Sequence, residues 1–216
     1  HARRGRVVIA ITAGMAASLG LAAAPPVLED RPAVADTTIF NSGETSNGAG
    51  TRLFAGVTNA AGGFTRQRSP IRFDLAGIPA DAEIIAAEVI LTLQQAGGAA
   101  QDGQIFGLHR IDAAWGEAGS VATGGQGAPA EPGDATWSFA MFPRTAWATP
   151  GGDVATAASA SLPIGVTPGT AWTFTSAELA ADVAAWLADP ASNHGWMLIA
   201  DESVNGSARR FHAREA

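Results

Sequence analysis

Over residues 71–93 the apolar side chains recur at every second position. Ile71, Phe73 and Leu75 alternate with Arg72 and Asp74, and Ile78-Pro79-Ala80-Asp81-Ala82 makes a turn. Beyond it Ile85, Ala87, Val89, Leu91 and Leu93 form the longest apolar face of the chain, with Glu88, Thr92 and Gln94 on the reverse. A period of two belongs to strands with one buried side. Shorter candidates lie at 37–40, 53–57, 105–111, 135–139, 159–164 and 172–174. Their connections are too short for crossover helices, so the pairing is antiparallel. A single segment has a helical period instead: Leu179, Val183, Trp186 and Leu187 share a face. Thr175 with Glu178 three residues later has the form of a capping box, and Pro190 stops the run, which predicts a helix over about 176–188. Many short strands with one helix define an all-β fold, a jelly-roll-like antiparallel β-sandwich with the helix as a lid across one end.

At 216 residues there is room for one such domain and an export segment. Arg3, Arg4 and Arg6 precede an apolar stretch over 7–24, interrupted by Thr12, Gly14, Ser18 and Gly20. Small-residue sites follow at Ala22-Ala23-Ala24 and Ala33-Val34-Ala35. This is the outline of a signal peptide and leader, residues 1–35, cleaved after Ala24 or Ala35. The expected product is a secreted domain over 36–216 with no membrane span. All 13 basic residues are Arg and the net charge is -7; over 36–216 nine basic face eighteen acidic residues. Such a surface repels phosphate backbones, which argues against nucleic acid as a partner. No cysteine is present, which excludes thiol catalysis, cysteine-ligated zinc and disulfides together.

Several segments, taken in order, resemble the DNRLRE domain family. They are Ala35-Asp36-Thr37-Thr38-Ile39-Phe40, Asn47-Gly48-Ala49-Gly50, Ile71-Arg72-Phe73-Asp74-Leu75 with Ile78-Pro79, Trp115-Gly116-Glu117, Gly133-Asp134-Ala135-Thr136-Trp137 and Pro150-Gly151-Gly152-Asp153. The helix and the run to Arg209-Arg210-Phe211-His212-Ala213-Arg214-Glu215 complete the set. The resemblance implies a β-sandwich module of secreted bacterial and archaeal proteins, some of them carbohydrate-binding. Ala213 stands where the family usually has Ser. Members usually continue into a further strand after the Arg-Glu pair, so the resemblance implies a sandwich lacking its closing strand, with a neighbouring edge exposed.

The six Trp are the first candidates for recognition, because flat rings pack against the apolar faces of sugars. Trp115, Trp137 and Trp147 fall in or beside the long loops and are the candidate platform, with loop anchoring as the alternative. Trp172, Trp186 and Trp196 sit in apolar patterns and are expected in the core. Arg72, Arg110 and Arg214 could bind uronic-acid carboxylates in bidentate fashion, or form internal salt bridges such as Arg214 with Asp74 or Glu215. No cofactor is required. A structural calcium would find oxygen ligands in Asp36, Asn47, Asp153, Asp201, Glu202 and Glu215, although no dense calcium loop exists. His109, His194 and His212 lack metal-site spacing, and Gly195 is expected to turn the chain with a positive φ. A hydrolytic carboxylate pair could be drawn only from Glu117, Glu131, Asp134 and Asp153. The leading expectation is a secreted, non-catalytic module binding a polysaccharide or cell-surface glycan. A structural spacer or adhesive domain is second, and a polysaccharide-degrading enzyme third.

Overall fold

The computed structural model describes residues 5–12 and 25–216. Strands β1 (Arg6–Thr12) and β2 (Val27–Asp36) are followed by the short β3 (Ile39–Phe40) and β4 (Thr45–Ser46). Next come β5 (Arg52–Val57), β6 (Arg66–Phe73), β7 (Glu83–Ala96) and β8 (Gln104–Arg110). The long loops carry β9 (Ala128–Pro129), β10 (Phe139–Met141) and β11 (Thr145–Ala146). Then β12 (Ala160–Ile164) and β13 (Ala171–Thr175) lead into α1 (Ala177–Ala188), followed by β14 (Trp196–Ala200) and β15 (Arg209–His212).

The protein is an antiparallel β-sandwich. One layer runs β12-β8-β14-β6. In the other, β13 pairs with one edge of β7, while β1 and β15 lie end to end along its second edge, opposite Glu83–Ile90 and Leu93–Ala96. Two strands join the layers. The first part of β2 pairs with β1 and its last residues with β6. Likewise β5 pairs with β15, then reaches β6 at Gly56 and Val57.

Alternation places one face of each strand inside. Phe106, Leu108, Ile71, Phe73, Trp196 and Leu198 meet Val89, Leu91, Leu93, Phe174 and Phe211 across the layers. Each such side chain, fully buried, is worth about 1.5–3 kcal/mol. Helix α1 closes one end, with Trp186 packed on Trp196 at 4.5 Å between ring centroids. The helix begins one residue later than expected. Ser176 is its N-cap, accepting from the Leu179 N–H, because Thr175 is still paired with Glu88 as the last residue of β13. Asp182, polar and unannounced by the apolar pattern, is buried on the same helix.

The stretch assigned to an export segment outside the fold enters the sheet at both ends, as β1 and as β2, and β2 runs across the expected boundary at residue 36. The reason is visible in its alternation: Val7, Ile9 and Ile11 are buried while Val8, Ala10 and Thr12 are half-buried. Its β-branched residues thus fit a pleated sheet as well as they fit an apolar run. Residues 13–24, with the Ala22-Ala23-Ala24 cleavage site, lie outside the described residues. Among the described residues no helix is long and apolar enough to cross a membrane.

Candidate functional site

A cleft of about 370 Å³ opens where four connections meet, within the size range of small-ligand sites. Its floor follows from register. Arg210 on β15 stands opposite Phe54 on β5 and opposite Gln95 on β7, so the three share one face of the sheet. Gln67 on β6 lies beside them, opposite Gly56. Asn59 and Gln126 line the walls from two loops.

The Arg210 guanidinium lies 5.4 Å from the Phe54 ring centroid and donates Nη1–H to Gln95 Oε1 at 2.8 Å. Burial pulls its pKa down, and the neighbouring Arg52 adds to that. Two guanidiniums thus repel each other at this face, and among the described residues lining the cleft none is acidic. Gln67 is buried; its Nε2 donates to Gly125 O at 2.8 Å, while its Oε1 is buried without a partner. An unpaired buried acceptor costs about 1–3 kcal/mol. Gly125 permits the approach, since a Cβ there would stand 2.6 Å from Gln67 Nε2. Gln126 bridges the walls, donating to Gly62 O and accepting from the Thr65 hydroxyl.

Arg209, on the opposite face of β15, is only 1% exposed. It donates to the carbonyls of Gly165 (2.9 Å), Ser207 (2.8 Å) and Gln101 (2.6 Å) and so ties together the turns that frame the cleft.

None of the six residues singled out in the sequence lines this cleft. Trp115 and Trp147 are 5% and 4% exposed, packed with Ile111, Ala140 and Met197 in a second apolar cluster. Their indole N–H groups donate to His194 O (2.7 Å) and Thr136 O (2.9 Å). Trp137 is half-buried with Arg68 over its ring at 4.8 Å, so the three rings do not form one accessible platform. Arg72 lies 5.9 Å from the Trp115 ring centroid. Arg110 pairs with Asp112 at 3.3 Å. His194 beside them has a lowered pKa, from burial first and then from Arg72. The long loops are therefore held rather than loose; buried Asp134 accepts from the N–H groups of Ala118 and Glu131, both at 2.8 Å.

Arg214 belongs to a second constellation, where it contacts Glu117 at 2.8 Å and Glu215 at 2.9 Å. Asp36, at the end of β2, completes it. Oxygens of Asp36, Glu117 and Glu215 all lie within 4.8 Å of one another. Asp36 is 1% exposed; its Oδ2 accepts from the Arg214 N–H at 2.9 Å, and its Oδ1 is buried without a partner, as is Glu215 Oε2. Burial, then the charge on Glu215, pushes the Asp36 carboxyl up to about 7. Glu117 is also raised, by burial, against the opposing Arg214 hydrogen bond. The other oxygen donors are engaged elsewhere. Asn47 accepts from Ala122 N–H, Asp153 from the N–H groups of Ala148 and Thr149, Asp201 from Ser203, and Glu202 holds Arg68 at 2.7 Å.

The class defined by this architecture is an all-β sandwich with one capping helix. No protein-family model matches the chain, and no curated protein does.

Proposed function

We propose that the chain is a non-catalytic module of the DNRLRE type that binds an acidic polysaccharide or cell-surface glycan in the cleft over Arg210. The observation that carries this reading is Arg210 on the floor of a cleft whose lining has carboxamides and no carboxylate, in a chain of net charge -7. Carboxamides of Asn59, Gln67, Gln95 and Gln126 suit sugar hydroxyls, and Arg210 suits a uronate carboxylate. Hydrogen bonds to a charged group are worth about 1.5–3 kcal/mol, on the order of 10- to 100-fold in affinity.

Affinity electrophoresis through gels containing polygalacturonate, alginate or a neutral glucan tests it. Retardation is expected in the uronate gels and should be lost in Arg210→Ala. Gly98→Leu, at a position where a Cβ meets nothing within 4 Å, should weaken it by filling the cleft mouth without disturbing the fold. No retardation in any gel, or retardation unchanged in Arg210→Ala, would refute the reading. Burial of Trp115 and Trp147 favours the second reading, a structural spacer, and that reading takes over if no gel retards the chain.

A further inference from the structure

We propose that Asp36, Glu117 and Glu215 form a binding site for one calcium ion. Three carboxylates face one guanidinium, so the ionised cluster carries two uncompensated negative charges in a partly buried place, where charges are normally paired or coordinate metal. Two oxygens lack any partner: Asp36 Oδ1, on a residue 1% exposed, and Glu215 Oε2. Both belong to carboxylates whose other oxygen is engaged, by the Arg214 N–H and by the Arg214 guanidinium respectively. The free oxygens are thus the ones left to meet an ion.

The donor set names the cation. All three donors are carboxylate oxygens, which suit hard ions and not the thiolate- or imidazole-preferring transition metals. Their oxygens all lie within 4.8 Å of one another, close enough for one ion to reach all three. Calcium accepts irregular shells of about 6–8 oxygens, whereas magnesium demands near-ideal octahedra at about 2.0–2.1 Å. Three ligands from segments far apart in sequence, with water completing the shell, match the first ion and not the second. The ion would fasten the end of β2, the loop after Trp115 and the segment after β15 to one another. This site is separate from the cleft, and neither proposal rests on the other.

The test uses the full chain after dialysis against a chelator. Isothermal titration with calcium chloride should give one site per chain, and calcium should raise the unfolding midpoint by several degrees through binding to the native state alone. Magnesium at the same concentration should do neither. Asp36→Asn and Glu215→Gln should each abolish the calcium response, and each should unfold at a higher midpoint than the metal-free parent, because a repelling charge is gone. Should Asp36→Asn fail to fold, Glu215→Gln, whose side chain is 20% exposed, carries the test. Asp201→Asn, at an exposed residue, is the control and should keep the response. The proposal is overturned if calcium at about 10 mM, tenfold above the weakest extracellular modules' dissociation constants, gives neither heat nor a midpoint shift. It is equally overturned if both cluster variants respond as the parent does.

Discussion

Replacing Asp182 with Ala tests how the helical lid is held. Asp182 Oδ2 accepts from the Trp196 indole N–H at 2.8 Å and from the Ser159 hydroxyl at 2.6 Å. The Ser159 carbonyl accepts in turn from the hydroxyl of Ser176, the helix N-cap, at 2.6 Å. Trp196 is 1% exposed, so no water replaces the lost acceptor. Each stranded buried donor costs about 1–3 kcal/mol, which puts Asp182→Ala, with two of them, at roughly 2–6 kcal/mol. At about 2–4 °C per kcal/mol for a chain of this size, the midpoint should fall by roughly 4–24 °C. Asp182→Asn keeps an oxygen in place and gives up the charge opposite Arg110 at 3.9 Å, an exposed partner, so it should cost about 1 kcal/mol or less. Urea unfolding followed by tryptophan fluorescence measures both. The reasoning fails if Asp182→Ala stays within about 0.5 kcal/mol of the parent, the usual range of an inconsequential surface change, or if Asp182→Asn is as damaging as Asp182→Ala.

Three further outcomes follow from the same geometry. A chain beginning at Pro25 lacks β1, with its buried Val7, Ile9 and Ile11 worth about 1.5–3 kcal/mol each, and bares the facing edges of β2 and β7. It should self-associate or unfold at much lower urea in light scattering and unfolding experiments, and an equally stable monomer would contradict the role given to β1. Gly195→Ala places a side chain at φ +76 with Cβ 2.1 Å from Ile71 O, and should lower the urea midpoint by at least the equivalent of about 1–3 kcal/mol with an unchanged slope. His194, whose folded pKa lies below the ordinary 6.5, binds its proton less readily in the folded state. Its contribution to stability is therefore present above pH 6.5 and lost as pH falls towards the folded value. His194→Gln should flatten that acid-side decline in unfolding midpoints, and an imidazole titrating at or above 6.5 by NMR would remove the basis for it.

The regular part of the sandwich was legible because burial on one face writes itself into the sequence at period two. Strand β7 from Ala87 to Leu93 is the clearest instance, although Ile85 at its start, expected on the same face, is 50% exposed; helix α1 was legible by its own period, and its start moved by one residue only because Thr175 had a strand partner. Strand β1 was not legible. An apolar run behind arginines satisfies an export segment and a buried strand alike, and the partners of β1, which are β2 and β7, are not written in that run. The loop tryptophans left platform and anchor both open: the N–H groups of Trp115 and Trp147 found main-chain carbonyls, which lets a large ring anchor a loop from inside. The cleft was invisible because Gln67, Gln95 and Arg210 are far apart in sequence and meet only through register. What signal existed was local, a carboxamide between glycines at Gly125-Gln126-Gly127 and Gln95 just before Gly97-Gly98. Asp36 and Glu215 stood among the expected oxygen donors, whereas Glu117 stood among the hydrolytic candidates, and the fold moved it into their company.

Strand β15 and the residues after it join the two constellations and also keep them apart. Alternation sends Arg209 to one face and Arg210 to the other, and two residues beyond the strand Arg214 enters the carboxylate cluster. The strand itself does not depend on the cluster for its position. It is paired on one side with β5 and on the other with β7, and Arg209 pins it through three main-chain carbonyls. Loss of an ion from Asp36, Glu117 and Glu215 therefore removes support from the end of β2 and from the chain after β15, while the floor of the cleft keeps the register that places Arg210 beside Gln95. Two ligands influence each other only if they favour different arrangements of a shared element, and β15 is held in register by strands on both sides. Chelation should thus lower stability and leave glycan retention within about twofold, since coupling of a full allosteric kind would show as about 5-fold or more.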